Sequence, residues 1–166
     1  MKKKILTTLY ILVMVACIIS IAYSSFGFPY GYTFGYSDGQ SMYPTIKGLS
    51  VNFCYNYPGL IDNIERGEIV SWLDPTDGDG LCKRVIGFPG EEITIDNNRI
   101  YIDGKLLHES YTTNPDDDTF YGSWVLQDDE YFIMGDNRAN SFDSRFFGPV
   151  KQSDFKGKIV PLFYNH

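Results

Sequence analysis

The first long apolar run of the chain extends from Ile5 to Tyr23 and contains no charged residue. Its length is close to the ~20 apolar residues that a helix needs to cross a bilayer. Lysines at positions 2–4 precede it, and the positive-inside rule places such residues in the cytoplasm. The pattern therefore predicts a cytoplasmic basic N-terminus at residues 1–4, a transmembrane helix at residues 5–23 and an extracytoplasmic remainder.

Two other interpretations of this apolar run remain open. A cleaved secretory signal would use the small residues Ala22 and Ser24, although the run is longer than the apolar part of a typical signal. A lipoprotein cysteine at Cys17 is disfavoured because the apolar run continues beyond it, as far as Ala22. We therefore expect the segment to be retained as a membrane anchor.

Aromatic residues occupy every even position from Phe26 to Tyr36. A period of two places them on one face if the chain is extended there. Such a segment could be a strand with an aromatic face packed on the core, or an aromatic belt at the membrane interface. Glycines and Pro29 weaken a strand, so we favour the belt and assign residues 24–38 to a juxtamembrane segment.

The remaining sequence has short apolar runs of strand length and no convincing helical stripe, although a turn is possible near Gln152–Phe155. It predicts an all-β domain over residues 39–166. Asp96-Asn97-Asn98 and Asp103-Gly104 have the composition of tight hairpin connections. The predicted strands are Leu49–Tyr55, Glu68–Leu73, Leu81–Phe88, Glu92–Ile95, Arg99–Ile102, Trp124–Leu126, Tyr131–Met134 and Lys158–Phe163.

The charge balance is acidic, with a net charge of −7. Beyond the three leading lysines there are 11 Lys and Arg against 21 Asp and Glu, a charge of −10. This argues against nucleic acid as a partner, and it means that contact with lipid should rest on apolar residues. The acidic loops near Asp74–Asp79 and Asp116–Asp118 lack the spacing of a calcium loop, so we interpret them as solvated.

Two cysteines, Cys54 and Cys82, lie in the part of the chain predicted to face the oxidising exterior. A disulfide between them is possible there. Two buried thiols on strands are an equally acceptable interpretation, and the sequence does not choose between them.

Three segments concentrate the candidate chemistry: Gly39–Thr45, Leu81–Gly90 and Gly135–Val150. The first places Ser41 between a glycine and a proline bend. The second places Lys83 in an apolar run, where burial would lower the pKa of the amine and let it act as a general base. A Ser-His-Asp triad has little support, because His108 lies in a polar stretch without a motif and His166 is the last residue.

Together, these segments resemble, in the same order, the conserved boxes of type I signal peptidases, membrane proteases that use a serine and a lysine to remove signal peptides from secreted proteins. The 44 residues between Gly90 and Gly135 are similar to the compact Gram-positive form. The resemblance implies a signal-peptidase-like β-fold, no cofactor, and location in the cell membrane with the catalytic domain outside. It further implies secretory preproteins as substrates, cleaved after small residues of the Ala-x-Ala type, and contact with lipid and the protein-export machinery.

The resemblance also implies roles for individual residues. It makes Ser41 the nucleophile and Lys83 the general base, and it makes Ser141 a hydrogen-bonding partner of the lysine amine. Asp143 and Arg145 match a supporting ion pair. Scaffold roles are implied for Arg84, Asp136, Asn137 and Arg138.

Gly39 stands where some family members carry a hydroxyl that helps the Ser41 backbone N–H to stabilise the oxyanion. Glycine cannot supply that hydroxyl, so the second donor stays open. Two other functions also stay open: a related protease dedicated to one exported substrate, and a membrane-anchored domain that binds signal peptides without cutting them. A soluble self-cleaving repressor is opposed by the anchor and by the acidic charge.

Overall fold

The computed structural model describes residues 10–15, 31–37, 39–48, 50–56, 59–73, 80–112 and 119–161. The chain divides by its contacts into two units, Met1–Gly31 and Tyr32–His166. In the first unit, residues 10–15 are helical. Among the described residues, no helix combines the length and the apolar character needed to span a bilayer. Most of the predicted transmembrane helix at residues 5–23 and most of the two acidic loops lie outside the described residues.

The second unit consists mainly of strands, as the all-β prediction requires. The strands are β1 (Gly31–Ser37), β2 (Ser50–Asn56), β3 (Ile69–Leu73), β4 (Gly80–Gly87), β5 (Glu92–Asp96), β6 (Arg99–Ile102), β7 (Lys105–Leu106), β8 (Gly122–Val125), β9 (Glu130–Met134), β10 (Val150–Lys151) and β11 (Phe155–Pro161). Short 3-10 turns occupy Ile61–Asn63, Arg138–Asn140 and Gln152–Asp154. One short α-helix occupies Ser144–Phe147.

The strands form two sheets. The larger has the order β1-β2-β11-β3-β4-β9-β10, and the smaller has the order β7-β6-β5-β8. From β2 to β10 each neighbouring pair is antiparallel. The smaller sheet turns at Asn97 and Asn98 (φ 50° and 64°) and at Asp103 (φ 48°), so the predicted hairpin dipeptides are confirmed as turns.

Strand β1 lies in the stretch that we assigned to an interfacial aromatic belt, where glycines and Pro29 were expected to weaken a strand. Gly31–Ser37 is nevertheless extended and occupies the sheet edge next to β2. Strand pairing supplies backbone hydrogen bonds that the local composition does not reveal. Residues 24–30 lie outside the described residues.

The described residues of this unit form three apolar clusters. One lies among β3, β4 and β9 and includes Val70, Val85 and Ile133. A second joins the smaller sheet to β9 through Ile93, Ile100 and Phe132. The third places Met42 and Ile46 against β2, β3 and β11. This third cluster matters for the site because it anchors the segment that carries Ser41.

The disulfide interpretation is wrong, because Cys54 and Cys82 are both thiols in the structure. Cys54 lies on β2 and Cys82 on β4, and β11 and β3 run between them. Neighbouring strands are about 4.8 Å apart, so the two backbones are about 14 Å apart along the sheet. A disulfide requires its Cα atoms to lie within about 7 Å of each other.

Candidate active site

Ser41 begins a tight turn whose apolar side chains are buried in the third cluster. The Ile46 N–H donates to the Met42 carbonyl at 2.8 Å, and the Tyr43 N–H donates to the Gln40 carbonyl at 3.1 Å. The Tyr43–Pro44 peptide bond is cis. Met42 and Ile46 are each only 2% exposed, so the third apolar cluster fixes this turn and leaves Ser41 half-buried beside β4.

Lys83 is one of the largest fully buried side chains of the described residues, with 1% of its surface exposed. It lies on β4 opposite Val70 of β3, and its Nζ is 3.0 Å from Ser41 Oγ. Burial lowers the pKa of the amine, a shift that the positive charge of Arg145 assists and that Asp143 and Cys82 oppose. The local setting therefore favours a neutral amine in contact with the serine hydroxyl, which is the arrangement a lysine base requires.

The next residue, Arg84, forms a buried ion pair with Asp136. Its Nε donates to Asp136 Oδ1 at 2.7 Å, and Thr45 Oγ1 donates to Asp136 Oδ2 at 2.5 Å. Arg84 is 4% exposed and Asp136 is completely buried. Lys83 contacts Ser41 Oγ at 3.0 Å and Arg84 donates to Thr45 Oγ1 at 3.2 Å, so these two neighbours on β4 contact the two ends of the Ser41–Thr45 turn.

Asp143 and Arg145 form a second buried pair at the start of the short helix. Arg145 Nε donates to Asp143 Oδ1 at 2.9 Å, and the Gly135 N–H donates to Asp143 Oδ2 at 3.0 Å. Asp143 also caps the helix by accepting from the Arg145 N–H. The Arg145 side chain is 8% exposed and that of Asp143 is fully buried, so water screens this ion pair far less than a pair on the surface.

Ser141 departs from the expectation. Its Oγ is buried and has no hydrogen-bond partner among the described residues, so the expected hydrogen bond to Lys83 is not formed. The hydroxyl lies against Gly135 instead: a Cβ added to Gly135 would be 2.2 Å from Ser141 Oγ and 2.5 Å from the Ser41 carbonyl oxygen. Only glycine allows this approach, and the sequence did not single out Gly135 for it.

Gly39 is exposed, and a Cβ added there would meet nothing within 4 Å. Steric crowding among the described residues therefore does not require glycine at this position. The sequence analysis missed two residues, Tyr111 and Glu109. The Tyr111 ring lies 3.9 Å from the Arg84 guanidinium, and Glu109 pairs with Arg138. Both follow His108 in a polar stretch without a motif. Only the three-dimensional structure brings them to the site.

The sequence matches a family model described as signal peptidase, peptidase S26, over residues 3–164. It is 34% identical to a probable signal peptidase I-2 of Synechocystis over 78% of this chain and 62% of that protein. Its identity to signal peptidase I S of Bacillus subtilis is 36%, covering 76% of this chain and 74% of that one. A crystal structure of a signal peptidase I from Enterococcus faecalis is similar with a TM-score of 0.53 and 30% identity, covering 59% of this chain and 97% of that chain. The match thus spans less than two thirds of the Synechocystis relative.

The buried lysine should reduce stability at neutral pH. Because the pKa of Lys83 is lower in the folded than in the unfolded chain, the folded protein binds fewer protons between the two values. Stability should therefore rise with pH across that window, up to about 10.5. We expect Lys83→Met to raise the free energy of unfolding at pH 7 by roughly 1 kcal/mol and to flatten this rise.

Denaturant unfolding of the full chain in detergent between pH 7 and pH 10 would measure both effects. Lys105→Met is the matched control, because Lys105 is exposed on β7. Lower stability of Lys83→Met at pH 7, with the pH dependence of the wild type retained, would contradict the explanation.

Proposed function

Since this chain belongs to the signal peptidase family, peptidase S26, we propose that it removes signal peptides from secreted preproteins. In this proposal Ser41 is the nucleophile, Lys83 is the general base, and cleavage follows small residues of the Ala-x-Ala type. The protein acts without a cofactor.

The contact of 3.0 Å between Lys83 Nζ and Ser41 Oγ is the observation that carries the proposal. With the amine neutral, the hydroxyl of Ser41 donates to Nζ and gives up its proton as Oγ attacks the scissile carbonyl carbon. The Ser41 backbone N–H then donates to the developing oxyanion. Lys83 returns the proton to the leaving amine, and in a second cycle it activates the water that hydrolyses the acyl-enzyme. A purely binding protein would have no use for a buried lysine in this position.

The edge of β4 beside Ser41 suits an extended substrate. β9 pairs with β4 only from Arg84 onward, whereas β3 pairs with β4 from Gly80. A peptide lying along the first residues of β4 would add a strand to the sheet. Alternate residues of such a strand point to the same side, so the side chains at the first and third positions before the cut would face the protein together, in keeping with a requirement for small residues at both.

We further propose that residues 5–23 anchor the protein in the cell membrane, with the N-terminus in the cytoplasm and the β-domain outside. The uncharged apolar run and the preceding lysines support this topology. An anchored enzyme would meet preproteins in the same lipid bilayer as they leave the export machinery.

The central test is cleavage of a preprotein with alanine at the first and third positions before the cut, with the full chain in detergent. We expect the wild type to cut at that bond, and Ser41→Ala and Lys83→Met to be inactive though folded, because each removes one half of the proton transfer. Mass spectrometry of the products locates the cut. A second preprotein with phenylalanine at both positions should be resistant.

Cleavage by either variant at the wild-type rate would contradict the proposed proton transfer from Ser41 to Lys83. If the wild type cut only one of a panel of exported proteins, the result would favour a dedicated processing protease. Binding without any cleavage would favour a binding domain.

The pH dependence of kcat/KM should respond to the charge of Asp143, which acts on Lys83. Only neutral Lys83 can accept the proton, so kcat/KM should rise with pH through a limb that lies below the ordinary lysine value of 10.5. Asp143 raises the pKa of Lys83 and Arg145 lowers it, so Asp143→Asn should move this limb to lower pH. Asp129→Asn removes an exposed carboxylate paired with Lys151 and should leave the limb in place. A limb that stayed fixed or moved upward in Asp143→Asn would argue against Lys83 as the base.

Ser141→Ala should separate activity from stability. We propose that Ser141 Oγ receives a hydrogen bond from the Lys83 amine when that amine is protonated, so its loss should lower kcat roughly tenfold. The hydroxyl has no partner among the described residues, so the free energy of unfolding should stay the same or rise. Unchanged kcat would remove Ser141 from the site, and a marked loss of stability would make its role structural.

A further inference from the structure

The turn that supports Ser41 lacks apolar anchors of its own. Between Met134 and Phe142 the single apolar side chain is Ala139, and it is exposed. This turn, residues 135–138, nevertheless contacts the nucleophile directly, because the Asn137 N–H donates to the Ser41 carbonyl at 2.9 Å. Its position must therefore be set by polar contacts.

Two residues outside the three motif segments take part in these contacts, Glu109 directly and Tyr111 through Arg84. Glu109, which follows β7 of the smaller sheet, accepts from both terminal nitrogens of Arg138, at 3.0 Å and 2.5 Å. Both side chains of this pair are only 10% exposed. Arg138 also donates from Nε to the Gly135 carbonyl at 3.0 Å. Glu109 thus holds one side of the turn through Arg138.

Tyr111 acts on the turn indirectly, through Arg84. Its ring covers the guanidinium of Arg84 at 3.9 Å, and Arg84 is the partner of Asp136. The Tyr111 hydroxyl donates to Glu109 Oε1 at 2.8 Å. Burial, followed by the charge of Glu109, raises the pKa of Tyr111, so the phenol keeps its proton as a donor. The aromatic face attracts the cation, and the attraction is stronger where little water is present.

We propose that Glu109 and Tyr111 are positioning residues that hold the turn at residues 135–138 in place and so keep Ser41 aligned with Lys83. The two residues form one clamp, because a single hydrogen bond joins them and each holds a different arginine. The catalytic part of this inference rests on the proposed function. The positional part concerns the turn itself and is independent of it.

The test uses Tyr111→Leu and Glu109→Gln in the full chain in detergent, with the alanine-bearing preprotein as substrate. Misplacing a nucleophile by a fraction of an ångström is costly, so we expect kcat to fall roughly tenfold or more. KM should stay near the wild-type value, as should the acid limb of the pH profile, because neither residue is among the charges that act on Lys83. Tyr111→Phe keeps the ring over Arg84 and should retain more activity than Tyr111→Leu.

Hydrogen–deuterium exchange provides a measurement that does not depend on activity. The Asn137 amide and the amides of residues 42–46 should exchange faster in Tyr111→Leu and Glu109→Gln. Glu91→Gln is the matched control: it breaks the partly buried Arg66–Glu91 pair, which does not touch the turn, and it should alter neither kcat nor this exchange.

Wild-type kcat and wild-type exchange in both variants would overturn the proposal, as would a loss of thermal stability with kcat unchanged. If the wild type cleaved no preprotein but the exchange rose as expected, the proposed function would fail while the positional role stood. Cleavage by the wild type with no change in exchange would reject the clamp and leave the proposed function intact.

Discussion

The buried ion pair between Arg84 and Asp136 is the contact on which the site depends. Arg84 follows Lys83 on β4, and its partner Asp136 lies in the turn after β9. Thr45, at the end of the Ser41–Thr45 turn, donates to the same carboxylate. One pair thus joins all three motif segments. Removal of one partner from such a pair leaves a buried charge unpaired, which costs about 3–5 kcal/mol. Neither charge can therefore be removed without a large cost while the three segments stay packed together.

The burial of Lys83 becomes intelligible in this setting. An amine with 1% exposure reduces stability when it is charged, and a core optimised for stability alone would place an apolar side chain there. In the neighbouring ion pairs, Arg84–Asp136 and Arg145–Asp143, each charge has a partner of opposite sign. Lys83 is left with Ser41 Oγ as its contact at 3.0 Å, and this gives the unfavourable burial a chemical purpose.

Much of the architecture could be predicted from the sequence. Each predicted strand overlaps an observed one, because short apolar runs bounded by Asn, Asp and Gly turns are a local signal. Three short elements escaped: β10 (Val150–Lys151), β7 (Lys105–Leu106) and the α-helix Ser144–Phe147 are too short for a periodic pattern. The composition of Gly31–Ser37 did not predict a strand either, because the pairing with β2 that places β1 in the sheet is a tertiary contact.

The sequence by itself determined which side chains are candidates for the chemistry: Ser41, Lys83 and the polar block around Asp143 stand in motifs whose spacing along the chain is visible without coordinates. The tertiary structure alone decided what those groups touch. It ruled out the disulfide between Cys54 and Cys82, since two strands separate them, and it placed Ser141 Oγ against Gly135 without a hydrogen bond to Lys83. It also brought Glu109 to Arg138 and Tyr111 to Arg84. Contacts of this kind depend on how distant strands pack, and no local pattern of residues encodes them.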